Sequence, residues 1–140
     1  MLGFEFYSRT KIVFGKNAEK NVADQIKAFG GSKVLVHFGG NSAQKSGLLG
    51  RLLGYLEEAG IEFVQLGGVV PNPRLSLVRQ GISLCKKEKI DFILAIGGGS
   101  VIDSAKAIGI GAAGNCDVWD YYEGTAVPEA CLPVGVVLTI

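Results

Sequence analysis

Between Ile90 and Ala107 the chain reads IDFILAIGGGSVIDSAKA, and this stretch limits the possible folds more than any other. An apolar run rich in β-branched and aromatic residues, Ile90, Phe92, Ile93, Leu94, Ala95 and Ile96, ends in three successive glycines and a serine, then passes into a helix-like sequence. Because the run is continuous rather than alternating, it predicts a parallel strand covered on both faces. Gly97, Gly98 and Gly99 are expected to form a tight turn, with positive φ available and no side chain to hold another group off the backbone. Ser100 is a candidate N-cap, and Asp103 three residues on approximates a capping box, so the first N–H groups of the helix should face back over the glycines. A helix N-terminus with unspent N–H groups and a bare approach attracts an anion, most often a phosphate.

The alternative is a sharp strand-to-helix turn with no ligand. Three adjacent glycines weigh against it, since each loses extra backbone entropy on folding without adding a packing contact. Two common phosphate motifs are ruled out: the Gly-Lys-Ser/Thr ending of a P-loop is missing, and Ile102 stands where the third glycine of G-x-G-x-x-G belongs.

The remainder of the chain alternates in kind. Met1 to Gly15 carries Phe4, Phe6, Tyr7, Ile12, Val13 and Phe14, which predicts two short edge strands and an apolar edge open to pairing, hence a possible homodimer. Asn17 is a candidate cap for a helix reaching Phe29. From Lys33 to Ala112 strands and helices follow in turn: strand Val34 to Phe38, turn Gly39 to Asn41, helix Ser42 to Ala59, strand Ile61 to Leu66, helix Pro73 to Lys89, strand Ile90 to Ile96, and a helix from Val101. Asn72-Pro73 has the order of an N-cap followed by proline at the first helical position. Residues 113–133 break the pattern and predict a loop bearing Trp119, Tyr121 and Tyr122, either functional or pinned to the sheet by its aromatics. Val134 to Ile140 predicts a last strand. Alternation of this kind gives an α/β fold: a Rossmann-like open parallel sheet with helices on both faces, in one domain over residues 1–140. Ligands in such sheets lie beyond the carboxyl ends of the strands, where Gly39-Gly40, Gly67-Gly68 and Gly97-Gly98-Gly99 would share one crevice.

Composition narrows the class of partner. Fourteen basic against thirteen acidic residues leave a net charge of +1, which argues against nucleic acid or an anionic membrane surface. The first residues have neither a basic nor a long apolar region of a secretory signal, so a cytoplasmic location is the default. Cys85, Cys116 and Cys131 are odd in number and match neither a disulfide framework nor a zinc pair. His37, the one histidine, lies inside an apolar strand, where a hydrogen-bonded core position is the simpler reading than a metal ligand.

Gly97-Gly98-Gly99-Ser100-Val101-Ile102-Asp103-Ser104-Ala105-Lys106 resembles the GGGSxxDxAK signature of the iron-containing (group III) alcohol dehydrogenases. The resemblance extends along the chain. Thr10 to Gly15 is similar to that family's opening strand, Val70-Pro71-Asn72-Pro73 to its V-P-N-P step, and Pro133 to Ile140 to the strand before its second cofactor turn. Gly39-Gly40-Asn41-Ser42 most resembles the NADP-dependent butanol-dehydrogenase-like branch.

The resemblance implies the dinucleotide-binding domain of an NAD(P)H-dependent alcohol dehydrogenase, interconverting small alcohols and aldehydes by hydride transfer. It implies that Gly97, Gly98, Gly99 and Ser100 hold the pyrophosphate, that Asp103 approaches the nicotinamide ribose, and that Gly39, Gly40, Asn41 and Ser42 with Pro71 surround the adenosine end. Thr139 matches the first threonine of the family's next cofactor turn. The absence of a carboxylate in the Gly39 to Ser42 turn favours NADP(H) over NAD(H). A divalent metal, iron or zinc, is expected only in the family's helical second domain, so no catalytic or metal-binding residue is assigned, and the 140 residues by themselves are expected to be inactive. A glycerol-dehydrogenase-like enzyme, a non-catalytic nucleotide-binding module and an α/β domain that binds no nucleotide stay open as alternatives.

Overall fold

The computed structural model describes residues 3–139; Met1, Leu2 and Ile140, which the sequence places in terminal strands, lie outside the described residues. Four parallel strands, β1 (Lys33–Phe38), β2 (Glu62–Leu66), β3 (Phe92–Gly97) and β4 (Val134–Leu138), form one sheet in the order β2-β1-β3-β4. Among the described residues α1 (Val22–Ala28) precedes the sheet, and five further α-helices connect the strands: α2 (Ser42–Lys45), α3 (Leu48–Glu58), α4 (Leu75–Glu88), α5 (Gly99–Ala113) and α6 (Val118–Glu123).

The central strands β1 and β3 are covered on both sides, and their unbroken apolar runs conceal a period of two. Val34, Val36 and Phe38 of β1 with Phe92, Leu94 and Ile96 of β3 face Ile26 of α1 and Leu49, Leu52 and Leu56 of α3. Leu35, Ile93 and Ala95 face the other way, onto Val78 and Cys85 of α4 and Val101, Ala105 and Ile108 of α5. Burial pushes the Cys85 thiol up to about 12, so it is an inert part of this second core layer. His37 shares that second face through its position between Val36 and Phe38, and is fully buried.

Several expected boundaries shift. The N-terminal edge strands do not form: residues 3–14 carry no strand, and Phe4, Phe6, Tyr7, Ile12 and Phe14 stand in solvent. A strand needs a neighbour for its backbone groups, and within the chain this segment finds none. The helix expected over Ser42 to Ala59 is two helices, because Gly47 takes the left-handed φ of 76° and turns the chain between α2 and α3. Asn72 also has a left-handed φ, 57°, so it does not cap α4; that helix starts later, at Leu75, behind an extended Arg74. Asn17 is likewise left-handed and makes no side-chain cap, and the first turn beyond it, Ala18–Asn21, is a 3₁₀ helix. The expected loop at 113–133 contains α6, capped by the Asp117 carboxylate, which accepts from Trp119 N–H at 2.9 Å.

Candidate functional site

Because all four strands are parallel, their carboxyl ends share one edge, and the chain leaves β1 toward β2 but crosses back to β3 on the other side. The crevice between the ends of β1 and β3 is therefore a topological switch point, the place where open α/β sheets hold ligands.

The glycine turn after β3 is built differently from the sequence expectation. Only Gly97 needs the special backbone: its φ is 153°, and a Cβ there would come within 2.6 Å of Val101 Cγ2. Gly98 is extended and is itself the N-cap of α5, its carbonyl accepting from Val101 N–H and Ile102 N–H at 3.1 Å each. Ser100 is thus not the cap but the second residue of the helix, and the Ser100–Asp103 capping box is not formed, since α5 starts two residues earlier than that box requires. The N–H groups of Gly98, Gly99 and Ser100 make no backbone hydrogen bond among the described residues. A Cβ on Gly99 would meet nothing within 4 Å, so the approach to these donors is open. No acidic residue lies in the first turn of this 15-residue helix to compete with an incoming anion.

The turn after β1 is its neighbour. A Cβ on Gly39 would lie 3.4 Å from the Val69 carbonyl and 3.7 Å from Val101 Cγ2, so Val101 is wedged between the two glycine turns. Gly68 N–H donates to the Gly39 carbonyl at 3.2 Å, which ties the end of β1 to the turn after β2. Gly40, Asn41 and Ser42 are exposed, a Cβ on Gly40 would enter open space, and α2 has no acidic residue in its first turn. Pro71 is exposed beyond β2. At the far side, Thr139 N–H donates to the Gly97 carbonyl at 3.0 Å, so β4 delivers Thr139 to the glycine turn. Asp103 is exposed one helical turn on, at the rim of a cavity of about 360 Å³ that Pro73, Ser104, Trp119 and Tyr122 help to line. The structure therefore gathers the turns at 39–42 and 97–100 with Thr139 at one edge, while Pro71 lies in the connection after β2 and Asp103 farther along α5.

These features suit a dinucleotide: a small, side-chain-free cradle with free N–H donors for the phosphates, flanked by a roomy turn. They do not suit a resident metal. No three His, Cys, Asp or Glu side chains gather among the described residues, and His37 has both ring nitrogens engaged, with Leu66 O at 2.7 Å and Ser104 Oγ at 2.8 Å.

Two contributors escape a sequence reading. Val101 is an ordinary helix valine until the fold sets it between two turns. Ser104 lies 67 residues from His37, and no spacing joins them. The α6 cap was more accessible: Asp117 opens a short amphipathic run closed by Gly124, and its carboxylate takes a two-pronged bond from Arg79 at 3.1 Å and 3.1 Å.

The fold and site define a doubly wound α/β domain with an open glycine turn at its switch point. Known proteins place it more closely. The profile of iron-containing alcohol dehydrogenases matches residues 9–140, and the chain belongs to that family. It is 43% identical over 140 residues to the probable NADH-dependent butanol dehydrogenase 2 of Bacillus subtilis, covering 100% of this chain and 36% of that protein. Against the NADPH-dependent aldehyde reductase YqhD of Escherichia coli it is 34% identical over 143 residues, again 100% of this chain and 36% of the relative. The crystal structure of an NADH-dependent butanol dehydrogenase A from Thermotoga maritima superposes with a TM-score of 0.95 at 43% identity, covering 99% of this chain and 35% of that one. The chain thus spans little more than a third of the length of these relatives.

Proposed function

We propose that these residues are the dinucleotide-binding part of an NAD(P)H-dependent oxidoreductase acting on small alcohols or aldehydes. The observation that carries the reading is the set of free N–H groups at Gly98, Gly99 and Ser100, facing an open cradle at the switch point. With Gly97 shaping the turn, they bind the pyrophosphate. Asp103 accepts from the nicotinamide ribose, Thr139 closes the turn from the β4 side, and Pro71 packs beside the adenosine. The bound nicotinamide supplies the hydride chemistry. The protein's task here is to hold that ring in place.

NADP(H) is the preferred cofactor. Relatives of this chain are named for both NADH and NADPH, so the names do not separate the two. The chemistry of the turn supports NADP(H). Gly39, Gly40, Asn41 and Ser42 place no carboxylate where it would repel a 2′-phosphate; Gly40 leaves space, Asn41 and Ser42 donate, and Lys45 is exposed at the end of α2. Calorimetric titration with NADPH and NADH tests this, and tighter NADH binding overturns it. The exposed apolar segment at residues 3–14 supports self-association, which sedimentation velocity over a concentration series tests; a concentration-independent monomer refutes it. Three free cysteines suit a reducing, cytoplasmic setting.

A further inference from the structure

The geometry points to His37 as a positioning residue for the dinucleotide: with Ser104 it forms a buried polar strut that fixes the first turn of α5, and so the free N–H groups of Gly98 to Ser100, against the ends of β1 and β2. This inference rests on the nucleotide-binding reading above.

His37 is 0% exposed and Ser104 1%. The Leu66 carbonyl can only accept, so the 2.7 Å contact places the imidazole proton on Nδ1, which donates to it. Nε2 then has a free lone pair and accepts from the Ser104 hydroxyl at 2.8 Å. The neutral imidazole has no remaining polar atom. Its surroundings on this face are apolar: Leu35, Ile93, Ala95, Val101, Ala105 and Ile108. A polar pair in such a layer adds little net stability, because both partners give up water, and a shape-matched apolar pair would serve the core about as well.

Position accounts for what stability does not. Leu66 is the last residue of β2, directly before Gly67-Gly68. His37 is two residues ahead of Gly39. Ser104 follows Asp103 and sits one helical turn beyond Ser100, on the same face of α5. One imidazole therefore joins the strands that feed two of the glycine turns to the helix that carries the third. The other contact there, Val101 between Gly39 and Gly97, is apolar and sets distance without direction. The hydrogen bond to Ser104 adds direction, fixing the rotation of α5 about its axis and thereby where its terminal N–H groups aim.

The test compares the parent chain with a double variant, His37→Leu with Ser104→Ala. Thermal melting, calorimetric titration with NADPH and with adenosine 2′-phosphate, and amide hydrogen exchange at Val101 and Ile102 are measured on both. The double variant is expected to melt close to the parent, to lose about tenfold in NADPH affinity, and to exchange the two amides faster. Affinity for adenosine 2′-phosphate, which has no pyrophosphate, should hold; a general loosening of the domain would weaken both ligands alike and would overturn the proposal. Parent-like NADPH affinity and exchange in the folded double variant would also overturn it. Should the double variant lose its cooperative melt, Ser104→Ala alone decides by the same ratio of affinities. Should the parent fail to bind NADPH, the nucleotide reading falls, while exchange at Val101 and Ile102 still shows whether the strut sets the turn.

Discussion

Replacing Gly98 by valine separates binding from folding at the anion cradle. Gly98 has φ −96° and ψ −162°, ordinary extended backbone in which a β-branched residue is at home. Among the described residues a Cβ there meets only the Thr139 carbonyl at 3.7 Å, a normal contact. The variant should therefore fold, with stability altered by no more than about 1 kcal/mol, since the lost glycine freedom of the unfolded chain offsets any crowding. Binding is another matter. In the proposed nucleotide site the pyrophosphate is held by three adjacent N–H donors, and a side chain that pushes the phosphate off one of them forfeits a hydrogen bond to a charged group, about 1.5–3 kcal/mol. At about 1.4 kcal/mol per factor of ten, the NADPH dissociation constant should rise by roughly ten- to a hundredfold. Gly97→Ala supplies the contrast: at φ 153° with Val101 Cγ2 only 2.6 Å from the new Cβ, it should cost stability whether or not ligand is present. Calorimetry and thermal melting on both variants decide the matter. A folded Gly98→Val chain that binds NADPH like the parent would remove the pyrophosphate from this turn.

Other perturbations have equally definite outcomes. Gly40→Asp, placing a carboxylate where a Cβ finds open space, should reverse the cofactor order toward NADH in paired titrations. Burial holds the His37 imidazole below its usual 6.5, the Leu66 carbonyl pulling weakly the other way, so the unfolded chain takes up that proton first and stability falls as pH drops below about 6.5, by at most about 1.4 kcal/mol per pH unit; denaturant melts at stepped pH should show a shallower fall in His37→Leu. Asp91 acts in a separate, lower window: burial pushes its carboxyl up, but the hydrogen bonds from Ser32 and Lys33 outweigh this and leave it lowered, so its contribution is lost only as pH falls below the usual carboxylate range. Asp117→Ala removes the α6 cap and the Arg79 pairing together, and should speed exchange of the Trp119 and Asp120 amides without shifting the global melt. Dialysed against iron(II) or zinc and assayed with NADPH and butanal, the 140 residues should retain no stoichiometric metal and show no turnover; retained metal with steady nicotinamide oxidation would mean an active site among residues assigned here to the scaffold.

The α/β alternation was legible because its causes are local. Apolar runs bounded by glycine, helical stripes and the triple glycine each state their preference within a few residues, and parallel strands then force every following turn to the same edge. The glycine turns at 97–100 and 39–42, and the edge they share, were visible for that reason. Finer placement belonged to the tertiary structure. Whether Ser100 or Gly98 caps α5 depends on where β3 releases the chain, and that is set by its register with β1 and β4. The N-terminal apolar segment has strand propensity but no strand beside it, and propensity without a partner leaves backbone groups to water. Val101 between two turns and Ser104 on His37 are juxtapositions of residues far apart in the chain, created only when α5 docks on the sheet. Sequence alone determined which kinds of element this protein builds and to which edge its glycine turns go; packing decided which side chains meet there, because contact is a property of the folded layers and not of spacing along the chain.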